Sequence, residues 1–170
     1  MLRTLKQIIR IGLISESYDS RGEGGGLESK LQTQLLRRFG RALAIRHVDA
    51  GSCNGCELEI HAVNNPYYNL EGSGIRFVAS PRHADVLLVT GPVSRHMETA
   101  LKRVYDAMPD PKWVIAVGNC ACTGGLFGTS YASCGPVASV LPVDQVVSGC
   151  PPLPDAILRA LAAVVMTNRK

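Results

Sequence analysis

The stretch ADVLLVTG (84–91) decides the fold. Val86–Thr90 is a short apolar run closed by Asp85 and Gly91, which reads as a buried strand rather than a helix. Working outward toward the C-terminus, Arg95–Ala107 has a helical pattern, Val114–Val117 and Gln145–Val147 are further strands, and Pro154–Met166 is a second helix. That last helix opens with Pro154 and Asp155, both suited to a first turn. Toward the N-terminus the pattern continues with strand Ile75–Ala79, helix Glu57–Asn64 and strand Ala44–Val48. Strands rich in Val and Ile, separated by helices, imply a parallel sheet covered on both faces. The expected fold is α/β and flavodoxin-like.

Residues 1–40 read as an extension and residues 41–170 as the domain proper. Leu2, Leu5, Ile9 and Leu13 share one helical face while Arg3, Lys6 and Arg10 lie elsewhere, an amphipathic basic pattern that suits a membrane surface or a partner. A glycine-rich hinge follows within Ser20–Gly26, and then a second helical pattern carries Leu27, Leu31, Leu35 and Phe39. The net charge of +4 comes from this end: residues 1–50 hold nine Lys and Arg against five Asp and Glu, and residues 51–170 hold nine of each. A balanced body with 5% aromatic residues does not offer the basic, aromatic-interleaved stripe of a nucleic-acid binder. No apolar run reaches the roughly 18–20 residues that cross a bilayer, and no secretory leader pattern is visible.

Six cysteines are then expected in a reducing compartment, where they bind metal or do redox work. Cys53 and Cys56 follow the strand ending at Val48, Cys120 follows the one ending at Val117, and Cys150 follows the one ending at Val147. In an open α/β sheet the carboxyl ends of the strands share one edge, where ligands bind. The fold therefore predicts that these four thiols converge. Four thiolates suit tetrahedral zinc or an iron–sulfur cluster. Glycines beside every candidate (Gly51, Gly55, Gly118, Gly124, Gly125, Gly149) favour the cluster, because they let backbone N–H groups approach its sulfides. Pro151 and Pro152 fix the backbone after Cys150. A thioredoxin-like dithiol would account for Cys53 and Cys56 and leave the other two unexplained. Cys122 and Cys134 are surplus and read as small buried hydrophobes, although Cys122 is close enough to Cys120 to compete with it.

With those positions assigned, GSCNGCELEI (51–60), SPRHADVLLVTG (80–91), GNCACTGG (118–125) and SGCPP (148–152) resemble the small electron-transfer subunit shared by respiratory complex I and [NiFe] hydrogenases. The resemblance spans about residues 42–166. It implies a flavodoxin-like fold with one [4Fe–4S] cluster on Cys53, Cys56, Cys120 and Cys150. Complex I subunits have adjacent cysteines in the first motif, whereas this chain has Cys-Asn-Gly-Cys, the hydrogenase spacing, and no cysteine follows Cys150. The pattern is thus similar to the membrane-bound, complex-I-related hydrogenases of the formate hydrogenlyase type. Implied partners are a hydrogenase-type large subunit, a ferredoxin-like multi-cluster subunit and membrane-arm subunits, on the cytoplasmic side of the membrane. The same scaffold in a quinone-reducing complex, and a zinc-stabilised interaction subunit without redox work, are the alternatives.

Three further residues are candidates for the cluster environment. Glu57 follows the second cysteine and could couple electron to proton movement, although a helix N-terminus favours an acid there in any case. Arg82 and His83, in the PRHAD segment, could donate to a cluster or pair with a partner carboxylate. Glu59 is a weaker candidate of the same kind as Glu57. His47, His61 and His96 show no ligand spacing, and Tyr67 and Tyr68 suit an interface or loop packing. No phosphate loop, nucleophile elbow or dinucleotide fingerprint is present, so catalysis by the chain alone is not expected.

Overall fold

A computed structural model describes residues 41–166, together with Lys6, Ile9 and Thr33, each in helical conformation. The glycine hinge and most of the two N-terminal helical patterns lie outside the described residues. The main sheet contains β1 (Leu43–Asp49), β2 (Ile75–Phe77), β3 (Val86–Thr90), β5 (Trp113–Val117) and β7 (Gln145–Val147) in the order β2-β1-β3-β5-β7. Every pairing in it is parallel. Counting only these strands, the order is 2-1-3-4-5, that of the flavodoxin-like fold. A small antiparallel pair, β4 (Val93–Ser94) with β6 (Ser133–Gly135), sits beside it.

Side-chain alternation along the strands divides the core in two. On one face Leu43, Ile45, Leu88 and Ile115 pack with α1 (Gly55–Val63) and α4 (Pro154–Met166), the latter contributing Ile157 and Leu161. On the other, Leu87, Val89 and Val114 pack with Leu101 of α2 (Arg95–Ala107) and Ala121 of α3 (Asn119–Thr123). All five residues of β3 are fully buried, so this central strand tolerates apolar side chains on both faces, as its sequence implied. Each of its leucines contributes about 1.5–3 kcal/mol by leaving water.

Carboxylates close the amino end of the sheet. Buried Asp85 receives Arg41 through both guanidinium nitrogens, at 2.6 and 3.1 Å, and the Ala44 N–H at 2.9 Å. This fixes the start of β1 against β3. Asp144 accepts the Val114 N–H at 2.8 Å and donates its own N–H to the Val114 carbonyl at 2.9 Å, aligning β7 with β5. Because all the strands run the same way, the loops after Asp49, Thr90, Val117 and Val147 emerge together at the opposite end.

Most element bounds follow the sequence reading. Val86–Thr90, Gln145–Val147, Arg95–Ala107 and Pro154–Met166 are as expected, and β1 and β5 run one residue longer at one or both ends. β2 stops at Phe77 rather than Ala79, α1 runs Gly55–Val63 rather than Glu57–Asn64, and the short elements between the main ones were not anticipated. The β4–β6 pair is too short to show a two-residue period, and α3 is a single turn and a half enclosed by glycines.

Candidate metal centre

The loop from Asp49 to Cys53 is shaped by its own side chains. Asp49 Oδ1 accepts the N–H groups of Gly51 and Ser52 at 2.8 and 2.7 Å, and Ser52 Oγ accepts that of Asn54 at 3.1 Å. Asn54 then takes a left-handed conformation, φ +71°, which Asn tolerates better than most residues, and α1 begins at Gly55. Cys53 thus ends an irregular loop and Cys56 lies in the first turn of a helix. Cys120 lies in the first turn of α3, and Cys150 follows Gly149 in the loop after β7.

These four cysteines line one cavity of about 110 Å³, with Gly91 and Asn119 also in its wall. Cys56 is buried, Cys120 half-buried, and Cys53 and Cys150 exposed, so the cavity opens on the side of the last two. The space exists because particular residues have no side chain. A Cβ on Gly118, whose φ is +89°, would stand 2.5 Å from Cys56 Sγ, and one on Gly125 would stand 2.7 Å from Cys120 Sγ.

The thiols are electrostatically coupled. Burial pushes the Cys56 thiol up to about 12, and Glu57 and the other three cysteines push in the same direction. Burial also raises Cys120, reinforced by Cys150 and Cys53. Burial beside other sulfurs thus disfavours the thiolate forms of Cys56 and Cys120. A bound cation would reverse that preference. The donor set and cavity fit an iron–sulfur cluster. Zinc holds thiolates at about 2.3 Å, which draws four sulfurs nearly into mutual contact and leaves no cavity between them.

The remaining candidates are placed differently. Cys122 is outside the cavity wall, its Sγ directed to the carbonyls of Ala116 and Val147 at 3.5 and 3.6 Å, and Cys134 Sγ donates to Glu98 Oε2 at 3.3 Å. Glu57 is buried behind Cys56, and neither carboxylate oxygen has a hydrogen-bond partner. Its nearest charged neighbour is His47, with Nε2 3.7 Å from Oε1, while the same nitrogen lies 3.0 Å from Thr90 Oγ1. The reading of His47 as an ordinary hydrogen-bonding residue misses its position beside Glu57. Both residues end up on the face covered by α1, but nothing in their sequence spacing signals it. Burial lowers the His47 pKa despite the opposing pull of Glu57 and Asp49.

Arg82 and His83 are not gathered to the centre. They form an exposed 3-10 turn, Pro81–His83, before the amino end of β3, whereas the cysteines follow the carboxyl ends of the strands. The direction of β3 puts its length between them and the cavity, so they are not placed to donate to a group held there. Sequence reading also overlooked Leu126, Phe127 and Tyr131, exposed in the loop that follows Gly125, which itself packs against Cys120. Three large apolar residues in a glycine-rich loop were the available signal.

Residues 53–164 match the model of the NADH ubiquinone oxidoreductase 20 Kd subunit family. A probable membrane-bound hydrogenase subunit of Pyrococcus furiosus is 47% identical over 135 residues, covering 79% of this chain and 80% of that protein. Formate hydrogenlyase subunit 7 of Escherichia coli is 42% identical over 134 residues, again 79% of this chain but 52% of the longer relative. An NADH-quinone oxidoreductase subunit of Desulfovibrio desulfuricans is 47% identical over 123 residues, 72% of this chain and 66% of that protein. Among solved structures, a chain of the membrane-bound sulfane sulfur reductase, an archaeal respiratory membrane complex, superimposes with a TM-score of 0.64 at 29% identity, covering 80% of this chain and 76% of that one.

Proposed function

We propose that this chain, which belongs to the NADH ubiquinone oxidoreductase 20 Kd subunit family, is an electron-transfer subunit of a membrane-associated, complex-I-related hydrogenase. Cys53, Cys56, Cys120 and Cys150 would hold one [4Fe–4S] cluster. The observation that carries this reading is the single cavity lined by four cysteines from three separate segments. A bound cluster supplies one-electron transfer at a potential set by its surroundings. The chain's own residues provide those surroundings: the cysteines supply four thiolates, the sheet behind Cys56 excludes water, and Gly118 and Gly125 keep side-chain bulk away from the sulfurs. The carboxylate of Glu57 adds negative charge beside Cys56, which opposes the arrival of an electron.

The expected partners are a hydrogenase-type large subunit and a ferredoxin-like multi-cluster subunit, between which this chain would conduct. The open side of the cavity and the apolar Leu126, Phe127 and Tyr131 are where a partner would cover the centre. No helix among the described residues is long and apolar enough to cross a membrane. Attachment on the cytoplasmic side is therefore assigned to the membrane-arm subunits, helped by the basic N-terminal segment. Deleting residues 1–26 should leave the cluster in place and weaken co-sedimentation with membranes.

The Cys-Asn-Gly-Cys spacing favours the hydrogenase reading. The 47% identity to a quinone oxidoreductase subunit supports a second one, in which the same scaffold serves a quinone-reducing complex. The decisive test is anaerobic purification with iron, sulfide and zinc analysis. Iron and sulfide in near-equal amounts, in a brown protein, are expected, and a colourless zinc protein would refute the reading. The large subunit then separates hydrogenase from quinone reductase, because only the former needs two Cys pairs able to hold nickel.

A further inference from the structure

Of the segments that carry the cysteines, the one bearing Cys150 has the least regular backbone. Cys56 and Cys120 lie in helical turns, and the loop before Cys53 is held by the side chains of Asp49 and Ser52. Cys150 instead follows Gly149, whose φ of +145° takes the chain out of β7. What this segment rests on is the start of α3. The Gly118 N–H donates to the Val147 carbonyl at 2.8 Å, and the Asn119 N–H donates to the Gly149 carbonyl at the same distance. The Gly149 N–H in turn donates to Asn119 Oδ1, also at 2.8 Å. Asn119 and Gly149 therefore hold each other by two hydrogen bonds in opposite directions, beyond the point where the β5–β7 ladder ends. Each is the residue immediately before a cysteine of the cavity.

We propose that Asn119 is a positioning residue: its amide oxygen locks the Cys150 segment onto the Cys120 segment and so sets how these two thiols face each other across the cavity. The inference rests on the reading that these cysteines hold an iron–sulfur cluster. The orientation of the amide is not arbitrary, because an NH₂ group cannot accept from the Gly149 N–H. The two main-chain bonds survive any substitution of Asn119 other than proline, so the side-chain bond is the one that residue type controls. Aspartate presents an acceptor oxygen at the same reach. Alanine presents none, and serine is too short to span the gap.

The test uses the membrane-associated complex with wild-type, Asn119→Ala and Asn119→Asp chains. Iron released to a ferrous chelator is followed over time, alongside amide hydrogen exchange of residues 147–150 and the thermal midpoint. Losing one hydrogen bond of ordinary strength corresponds to roughly three- to tenfold faster iron release in Asn119→Ala. Exchange over 147–150 should rise with it, and Asn119→Asp, which keeps the acceptor but adds a charge, should release iron more slowly than Asn119→Ala and keep wild-type exchange over 147–150. Should Asn119→Ala fail to assemble, Asn119→Ser against Asn119→Asp carries the same contrast. Wild-type release from the alanine or serine variant, or equally fast release from the aspartate variant, overturns the proposal. So does a lowered thermal midpoint with unchanged release, which would make Asn119 merely structural. A wild-type chain lacking iron and sulfide refutes the cluster reading itself, and the clamp's role with it.

Discussion

The two ends of the central sheet are built on opposite terms. At the amino end, Asp85 and Asp144 meet backbone donors from the neighbouring strands, and the Arg41 guanidinium completes the arrangement. At the carboxyl end, glycines with positive φ replace side chains, burial and the neighbouring sulfurs raise the pKa of Cys56 and Cys120, and the Glu57 carboxylate is buried without a donor. The amino end pairs its carboxylates, and the carboxyl end leaves the Glu57 carboxylate without a hydrogen-bond partner beside the cysteine-lined cavity. Stability and chemistry thus occupy opposite rims of one scaffold, and perturbations should separate them.

The largest expected effect is at the carboxyl rim. Gly118→Ala drives a methyl group toward Cys56 Sγ at a residue already in the left-handed region, and should abolish cluster retention while the strands stay folded. Iron analysis with circular dichroism checks both halves. At the amino rim, Asp85→Ala strips the buried Ala44 N–H of its acceptor and should cost about 1–3 kcal/mol of unfolding free energy. Its iron content per folded chain should equal that of wild type, and a parallel loss of iron would break the distinction between the rims.

A smaller effect is expected from charge alone. Glu57→Gln removes a negative charge beside Cys56, so a redox titration should find the cluster potential shifted upward at neutral pH. A potential at or below that of wild type would remove Glu57 from the cluster's electrostatics. His47 gives a subtler one. Burial holds its folded pKa below 6.5, so the folded state binds its proton less readily than the unfolded chain does. The associated stability is present above the unfolded pKa and is lost as pH falls through the depressed folded value. His47→Gln should therefore flatten the fall in thermal midpoint between about pH 7 and 5. The smallest expected effect is on the core: removing the metal by chelation should leave amide protection in β1, β3 and β5 nearly unchanged.

The same contrast explains what was legible in the sequence. Val86–Thr90 and its neighbours could be read because a strand buried on both faces has few residue types available. The gathering of Cys53, Cys56, Cys120 and Cys150 followed from strand direction, since parallel strands bring their carboxyl ends together. Arg82 and His83 stand at the amino end of β3, away from the cavity, which leaves pairing with a partner carboxylate as the role open to them. Asn119 and the His47–Glu57 approach were invisible in the sequence. Each depends on side-chain reach between segments that are distant along the chain, and a contact of that kind leaves no periodicity. The β4–β6 pair was hidden by its brevity.

One consequence of the uninterrupted β1–β3–β5 ladder concerns inheritance. Because none of the four cysteines lies in these strands, their pairing does not run through the centre, and the fold can serve as a socket for what its rim holds. Such a part can be moved between machines with different terminal acceptors while its rim is adjusted residue by residue. The names of its relatives, among them hydrogenase and quinone oxidoreductase, fit that portability.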